Sequence, residues 1–285
     1  MDEAEKAAEN GASGSSDSKE QQQDSFGELV RVLVYAVLIA MGIRIVVFEP
    51  FNIPSESMLP TLMVGDYLIV SKYPYGYSRH SLPFSLNLFD GRIMESQVVR
   101  GDVVVFKRPL DKRTDYIKRI IGLPGDRIQM KGGRLYLNGK AVRRERVKDF
   151  VVNVSPNTHC RNGTQFQFVQ ADGLVVCRYP QYRETLPSGV RYMTLDLAEN
   201  SRSDNTRVFV VPQGHYFAMG DNRDNSADSR RSITEGVGFV PAENLVGRAE
   251  MLFFSTDGSA RWWQPWYWYQ AARGSRFFDS LRPDE

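Results

Sequence analysis

The hydrophobic pattern divides the chain into a polar start, one long apolar run and many short apolar runs. Residues 1–25 are rich in Ser, Gly, Gln, Ala and Glu and show no apolar periodicity. Seven acidic residues against two lysines give this stretch a charge of −5. Because such a composition buries too little apolar surface to order itself, the sequence predicts a disordered acidic tail over residues 1–25.

The long apolar run covers residues 29–48, and its only charged side chains are Arg31 and Arg44. About twenty residues are needed for a helix to cross the hydrocarbon core, and arginines near its ends can reach the headgroups. The uncharged part, residues 32–43, would also suit a signal-peptide core or an amphipathic helix. Since no small-x-small cleavage site follows, we expect an uncleaved transmembrane anchor over 29–48.

After residue 50 the pattern changes to short β-branched and aromatic runs, with Gly-Asp turns at 65–66, 101–102 and 125–126. No ten-residue amphipathic helix pattern occurs between residues 60 and 255. The sequence therefore predicts a mainly β protein, an antiparallel β-sheet domain over 50–285 preceded by one N-terminal transmembrane helix. The predicted strands lie within residues 67–71, 102–106, 116–121, 166–169, 174–177, 207–211, 216–219 and 249–254.

Two stretches subdivide the β domain. Residues 143–207 interrupt the strands and are predicted to be an inserted smaller β region, which leaves a core of about 50–142 and 208–256. Residues 261–285 form an aromatic C-terminal tail that holds all four tryptophans. Tryptophan and arginine together favour a membrane interface, whereas a terminal helix packed on the core is the other interpretation. Both remain open at the level of the sequence.

Composition and cysteine usage narrow the range of partners. A length of 285 residues suits one large domain or two small ones, and a net charge of +2 without a Lys/Arg block does not indicate a nucleic-acid partner. Cys160 and Cys177 lack metal-ligand spacing, so no metal and no cofactor are expected. The two cysteines either form a disulfide or remain as buried free thiols.

Three segments carry the candidate chemistry: Pro-Ser-Glu-Ser-Met-Leu-Pro-Thr-Leu at 54–62, Asp-Tyr-Ile-Lys-Arg at 115–119, and Gly-Asp-Asn-Arg-Asp-Asn-Ser-Ala-Asp-Ser-Arg at 220–230. A serine needs a base to become a nucleophile, and a lysine kept neutral by burial can be that base. Together, in this order and across most of the chain, the three segments resemble the bacterial type I signal peptidases (leader peptidases). The resemblance implies a membrane-anchored Ser-Lys endopeptidase that removes signal peptides from exported preproteins.

The resemblance also implies roles for individual residues. Ser57 is the expected nucleophile and Lys118 the general base, working through an acyl-enzyme. The hydroxyl of Ser55 and the N–H of Ser57 form the expected oxyanion hole. Ser226 is expected to hydrogen-bond the lysine amine and orient it. Two ion pairs within the third segment are expected to fix it, and they would join Asp228 with Arg230 and Asp221 with Arg223.

Substrate binding is expected by addition of the signal-peptide end as a β-strand beside the site, with small side chains in shallow pockets. The resemblance further places the protein in the bacterial inner membrane as a single-pass protein, with the catalytic domain on the periplasmic side, in contact with preproteins and the lipid bilayer. Glu56 stands where many relatives carry glycine. The expected pocket wall consists of Phe51, Ile53, Pro54, Met58, Tyr116 and Ile117.

Three other functions fit the sequence less well. A Ser-His-Asp hydrolase would use one of His80, His159 and His215, but no Gly-x-Ser-x-Gly turn is present. A self-cleaving repressor shares the Ser-Lys chemistry but would need an N-terminal DNA-binding domain in place of the tail and anchor. A non-enzymatic peptide-binding β module would have no reason to keep the serines and the lysine together.

Overall fold

The computed structural model describes residues 17–81, 91–161, 163–261 and 263–283. Backbone contacts divide the chain into two compact units, Met1–Val46 and Val47–Glu285. Of the described residues, those of the first unit form helix α1, and the strands all lie in the second unit.

Helix α1 spans Asp17–Val46, and its segment Phe26–Ile43 is long enough and apolar enough to cross a membrane. The helix begins inside the predicted disordered tail, whose residues 1–16 lie outside the described part of the chain. Residues 18–24 include glutamine, glutamate and lysine, which are good helix formers and extend the helix outward from the apolar run. At its other end α1 stops two residues before the predicted anchor does, because Phe48 already belongs to a strand.

The second unit is built from nineteen described strands and one short helix, α2 (Trp268–Ala271). Ser57 lies on one of several short 3-10 helices, Glu56–Met58. The strands are β1 (Phe48–Asn52), β2 (Asp66–Ser71), β3 (Tyr77–Ser78), β4 (Arg92–Ile93), β5 (Val103–Lys107), β6 (Asp115–Gly122), β7 (Arg127–Lys131), β8 (Arg134–Leu137), β9 (Lys140–Ala141), β10 (Arg143–Arg146), β11 (Phe150–Asn153), β12 (Gln167–Val169), β13 (Val175–Tyr179), β14 (Gln181–Thr185), β15 (Arg191–Leu195), β16 (Phe209–Val210), β17 (His215–Met219), β18 (Val240–Pro241) and β19 (Leu245–Ser255).

The largest sheet has seven strands in the order β1-β2-β19-β5-β6-β17-β18, and every neighbouring pair is antiparallel. This confirms the mainly β, antiparallel prediction. Within the sheet, β5 pairs with β6 so that Val104 lies opposite Lys118. The β-branched and aromatic composition of these two strands suits a sheet with both faces covered, and most of their residues are buried.

Residues 143–207 contain two three-stranded sheets, β10-β14-β15 and β11-β13-β12. Cys160 and Cys177 form a disulfide in the second of these sheets, which answers the question that the sequence left open. The same sheet packs through Phe166 and Tyr179 against Leu59, two residues after Ser57. The region therefore provides one side of the support for the segment that carries the serine.

The C-terminal segment combines exposed aromatics with a return to the core. The side chains of Trp263, Trp266 and Trp268 are about half exposed or more, and Trp262 lies outside the described residues. Leu281 is buried in the core of the large sheet, and its N–H donates to the carbonyl of Glu250. The predicted tail is thus an exposed aromatic segment followed by a strap along β19.

Candidate active site

The turn that carries Ser57 is held from two sides. Met58 is completely buried in the core of the large sheet, while its neighbour Leu59 packs against the disulfide-bonded sheet. The N–H of Leu62 donates to the carbonyl of Met58 at 2.9 Å, and the N–H of Asn222 donates to the carbonyl of Ser57 at 3.1 Å. Ser57 is 8% exposed, so its hydroxyl has a fixed position and little contact with bulk water.

Lys118 reaches this hydroxyl from the middle of β6. Its Nζ lies 2.7 Å from Ser57 Oγ and 2.6 Å from the carbonyl oxygen of Ile117, and the residue is 3% exposed. Nζ also lies 5.5 Å from the centre of the Tyr116 ring, on the same face of the strand. The structure therefore brings together the two side chains that the sequence singles out as nucleophile and base.

Burial changes the acid–base behaviour of this lysine. It lowers the pKa of Lys118 from 10.5 to about 8, although the carboxylates of Asp228 and Asp221 act in the opposite direction. An amine with this pKa is partly neutral near physiological pH and can accept a proton from a hydroxyl. The geometry and the proton affinity of Lys118 are therefore both those of a general base.

The segment 220–230 forms the wall behind the lysine. The predicted ion pair is present, with Arg230 Nη2 at 2.8 Å from Asp228 Oδ2, and the N–H of Gly220 donates to the same carboxylate at 3.0 Å. Burial alone would raise the pKa of Asp228, but the ion pair and the N–H outweigh it and lower that pKa. Ser226 is buried in the same cleft as Lys118, yet its Oγ makes no hydrogen bond of normal geometry within the described structure. The predicted Ser226–Lys118 hydrogen bond is thus not formed.

The second predicted ion pair, between Asp221 and Arg223, is wrong. Asp221 pairs instead with Arg119 on β6, with Nη2 at 2.6 Å, and Arg223 pairs with Glu184 on β14, also at 2.6 Å. Both pairs have two hydrogen bonds between fork and carboxylate, and both are buried. Asp221 and Arg223 have these partners because the segment 220–230 packs against β6 and β14.

Ser55 lies beside the nucleophile, with its Oγ 3.4 Å from Ser57 Oγ. The hydroxyl of Ser55 is exposed toward the cleft and can turn toward an incoming oxygen atom. Gly220 approaches from behind, where an added Cβ would lie 2.5 Å from the carbonyl oxygen of Ser57 and 2.3 Å from Ser226 Oγ. This glycine lets the two segments meet closely enough to share one site.

The site opens into a cleft of about 460 Å³. Five of the six residues predicted as its apolar wall line it: Phe51, Ile53, Pro54, Tyr116 and Ile117. The sixth, Met58, does not, because its side chain is turned into the core. The cleft is also lined by Asn52, Ser55, Ser57, Val105, Asp115, Lys118, Arg161, Asp224, Asn225, Ser226, Ala227 and Arg231.

The sequence analysis missed several residues that support the site. Arg119 stands in the same Tyr-Ile-Lys-Arg string as Lys118, so its position alone marked it as a candidate. Glu184 and Tyr192 gave no such signal, because they lie in the inserted region; Tyr192 Oη donates to Glu184 at 2.8 Å. Arg161 lines the cleft only because the fold of the disulfide-bonded sheet brings it there.

Three carboxylates lie close enough together to be considered as a metal site. The ligand oxygens of Asp196, Asp204 and Asp224 lie within 4.8 Å of one another. Each carboxylate already has a partner: Arg144 pairs with Asp196, the N–H of Leu197 donates to Asp224, and the hydroxyl of Ser201 donates to Asp204 at 2.9 Å. Burial still raises the pKa of Asp196 to about 6. The cluster is explained by these contacts, and no step at Ser57 uses it.

Comparison with known proteins was made at the level of sequence and of structure. The family described as signal peptidase, peptidase S26, matches residues 26–254. Signal peptidase I of Rickettsia typhi is 39% identical over 268 residues, covering 87% of this chain and 90% of that protein. Signal peptidase I of Rickettsia conorii is 41% identical over 237 residues, covering 80% of this chain and 79% of that protein.

A solved signal peptidase I from Enterococcus faecalis V583 aligns with 54% of this chain and 97% of its own, at 22% identity and a TM-score of 0.27. So loose a superposition carries no argument about the fold. The family match and the Rickettsia proteins extend over most of the chain and include all three motif segments. The chain therefore belongs to the signal peptidase family, peptidase S26, and its activity is the removal of signal peptides by a serine peptidase.

Proposed function

We propose that the reaction proceeds by a Ser-Lys dyad, with Ser57 as nucleophile and neutral Lys118 as general base. The observation that carries this proposal is the 2.7 Å contact between Lys118 Nζ and Ser57 Oγ, two side chains that are buried in the wall of the cleft. No histidine lines the cleft among the residues that the structure describes. A Ser-His-Asp arrangement is therefore not supported at this site.

The steps follow from these two side chains. Ser57 Oγ attacks the carbonyl carbon of the scissile bond while its proton passes to Lys118 Nζ, and the carbonyl oxygen takes the electron pair. The resulting ammonium then protonates the leaving amine, so that the C–N bond breaks and an acyl-enzyme remains. Finally the neutral lysine takes a proton from water, the water oxygen attacks the ester, and Ser57 leaves with the proton returned to it.

The oxyanion hole of this mechanism consists of the Ser57 N–H and the Ser55 hydroxyl. Ser55 supports this role because its Oγ is near the nucleophile and free to turn, and two preorganised donors of this kind lower the barrier to acyl transfer. Ser226 is the proposed partner of the lysine amine. Its buried hydroxyl lines the same cleft as the amine, which supports this role.

Substrate binding is proposed along the apolar wall of the cleft. Phe51 lies on the edge strand β1, and Tyr116 and Ile117 lie on the part of β6 that precedes its pairing with β17 at Arg119–Gly122. An extended peptide can add as a strand along such a free backbone. Shallow apolar pockets there suit the small side chains that precede the cleaved bond. This assigns the end of the signal peptide to the apolar wall.

The proposed location is the bacterial inner membrane, with α1 as the single span and the catalytic unit on the periplasmic side. The apolar segment Phe26–Ile43 supports the span. The Cys160–Cys177 disulfide supports the periplasmic placement of the catalytic unit, because disulfides persist in oxidising compartments and are rare in the cytosol. Preproteins that carry signal peptides are exported to that side.

The test is cleavage of a preprotein by the detergent-solubilised full-length protein, followed by sequencing of the new N-terminus. Wild type is expected to cut after a small-x-small sequence, and Ser57→Ala and Lys118→Met are each expected to lose at least about 10³-fold in rate, since nucleophile and base act as a unit. Lys140→Met is the matched control, because Lys140 is exposed on β9 and does not line the cleft. Appreciable cleavage by either dyad variant would contradict the assigned mechanism.

A further inference from the structure

The two rims of the catalytic cleft differ in chemistry. One rim is apolar and belongs to the large sheet through Ile53 and Ile117. The other is polar and contains Asn225 and Arg161, with Glu56 next to the nucleophile. The proposed function uses the apolar rim and gives no role to the polar one.

The two rims are supported by two different hydrophobic cores, which meet at the turn that carries Ser57. Met58, the residue after the nucleophile, enters the core that also contains Ile53 and Ile117. Leu59, the next residue, enters the core of the disulfide-bonded sheet that carries Arg161. A peptide whose small side chains lie on the apolar rim therefore continues past Ser57 toward the polar rim.

Arg161 is presented at this rim by a rigid support. Its neighbour Cys160 is bonded to Cys177 on β13, and the N–H of Arg161 donates to Tyr179 Oη at 2.9 Å. The backbone of Arg161 is thus fixed, while its side chain is exposed and lines the cleft. Within the described part of the chain, its guanidinium has no hydrogen bond and no carboxylate within 4.0 Å.

Glu56 sets the charge of the same rim. Asn225 Nδ2 donates to Glu56 Oε2 at 3.1 Å, and Asn222 Nδ2 donates to the Glu56 carbonyl at 3.1 Å. Burial raises the pKa of Glu56, with the charges of Arg161 and His159 acting against it. The charge of Arg161 therefore acts on the Glu56 carboxyl, although the two side chains form no direct ion pair.

The remaining carboxylates that line the cleft are already occupied. Asp115 pairs with Lys107 at 2.8 Å, and Asp224 accepts the N–H groups of Leu197 and Ala198 at 2.6 and 3.0 Å. Arg161 is left as a cation whose backbone is fixed and whose guanidinium lacks a counter-charge in direct contact. Such a group favours a carboxylate on a bound peptide.

We propose that Arg161 forms a charged subsite for the first residues of the mature chain and selects an acidic side chain there. The proposal rests on the proposed function, because it takes the apolar rim to hold the end of the signal peptide. Glu56 moderates the selection, since its charge repels the carboxylate that Arg161 attracts. The subsite thus gives the enzyme a preference on the side of the cleaved bond that the released protein keeps.

The test uses preproteins that carry Glu, Gln or Lys in turn at each of the first three positions after the cleaved bond. The readout is the ratio of kcat/KM for the Glu substrate to that for the Lys substrate, which does not depend on the fraction of enzyme that is folded. For wild type the ratio is expected to be about two to five at its best position, the size of an exposed ion pair, and to fall with added salt.

Four variants separate the contributions. Arg161→Gln is expected to bring the ratio to one or slightly below, because Glu56 remains. Arg161→Glu is expected to invert the ratio, and Glu56→Gln to increase it. The matched control is Arg178→Glu, because Arg178 is an exposed arginine of the same sheet that stacks on Phe168 and does not line the cleft. Its ratio is expected to equal that of wild type.

The outcomes distinguish this proposal from the one on which it rests. If wild type cleaves the Gln substrates and Arg161→Glu shows the same Glu-to-Lys ratio as wild type, the subsite alone is overturned. A ratio that changes equally in Arg178→Glu also overturns it, because the effect is then one of net charge. A wild type that cleaves no substrate in the series overturns the proposed function and the subsite with it.

Discussion

Lys118 has an environment that few lysines share. It is buried in the centre of a sheet, and its amine contacts a hydroxyl and a backbone carbonyl oxygen rather than a carboxylate. The nearest carboxylates, Asp221 and Asp228, are each engaged by an arginine. Their negative charges therefore stabilise the ammonium only in part, and burial decides the direction of the pKa shift.

The pKa of Lys118 predicts how activity depends on pH. The proposed mechanism needs the neutral amine, and with a pKa of about 8 only about one tenth of the free enzyme holds it at pH 7. We expect kcat/KM to rise about tenfold per pH unit below pH 8 and to level off above it. The measurement is a pH–rate profile with a preprotein that has no ionisable group near the cleaved bond. A flat profile between pH 6 and 9 would argue against Lys118 as the base.

At the scale of elements, the segment 220–230 is held in place by a strand of the inserted region. Glu184 on β14 accepts both arms of the Arg223 guanidinium and also the Tyr192 hydroxyl. All three side chains are buried. The inserted region therefore does more than flank the site, since it holds the loop that faces Lys118.

Removal of this brace is expected to be costly. Glu184→Ala leaves Arg223 buried without a counter-charge, and we expect a loss of about 3–5 kcal/mol in the free energy of unfolding. The matched control is Glu235→Ala, whose pair with Arg202 is largely exposed and is expected to change stability by less than about 0.5 kcal/mol. Urea unfolding of the detergent-solubilised protein measures both. Similar small losses in the two variants would show that the brace does not stabilise the fold.

How much the sequence predicts depends on how local each contact is. Ser57 and Lys118 are identified by their own short segments, and hydrophobic patterns place the main strands. The partners of Asp221 and Arg223 are not predictable in this way, because they depend on which strands the loop meets in space. The prediction for Met58 fails for a similar reason, since adjacent residues of a 3-10 turn face different cores and the sequence does not say which faces the cleft.

At the scale of the whole molecule, the C-terminal segment groups several exposed aromatic side chains within a few residues. Trp263, Trp266, Tyr267, Trp268 and Tyr269 are all exposed. Exposed clusters of this kind mark contact with a partner or a lipid surface, and tryptophan and tyrosine favour the membrane interface. A terminal helix packed on the core, the other interpretation of the sequence, does not describe this segment.

We expect these tryptophans to contact lipid in the reconstituted protein. All four lie within residues 262–268, so the tryptophan emission of the full-length chain reports on this segment alone. Emission is expected to be quenched more strongly in vesicles of brominated phospholipids than by acrylamide added to the water. The detergent-solubilised protein, with and without acrylamide, is the control. The opposite order of quenching would mean that the segment is exposed to water and serves some other purpose.

The burial of Lys118 also has a consequence for folding. The difference between a pKa of about 8 in the folded protein and 10.5 for an ordinary lysine corresponds to about 3 kcal/mol. Below pH 8 the folded state carries the buried ammonium, and this destabilisation is present in full. Between pH 8 and 10.5 the folded state has lost a proton that the unfolded chain keeps, so stability rises with pH until the destabilisation is gone. The deprotonation that the proposed mechanism requires therefore also removes a destabilisation of the fold.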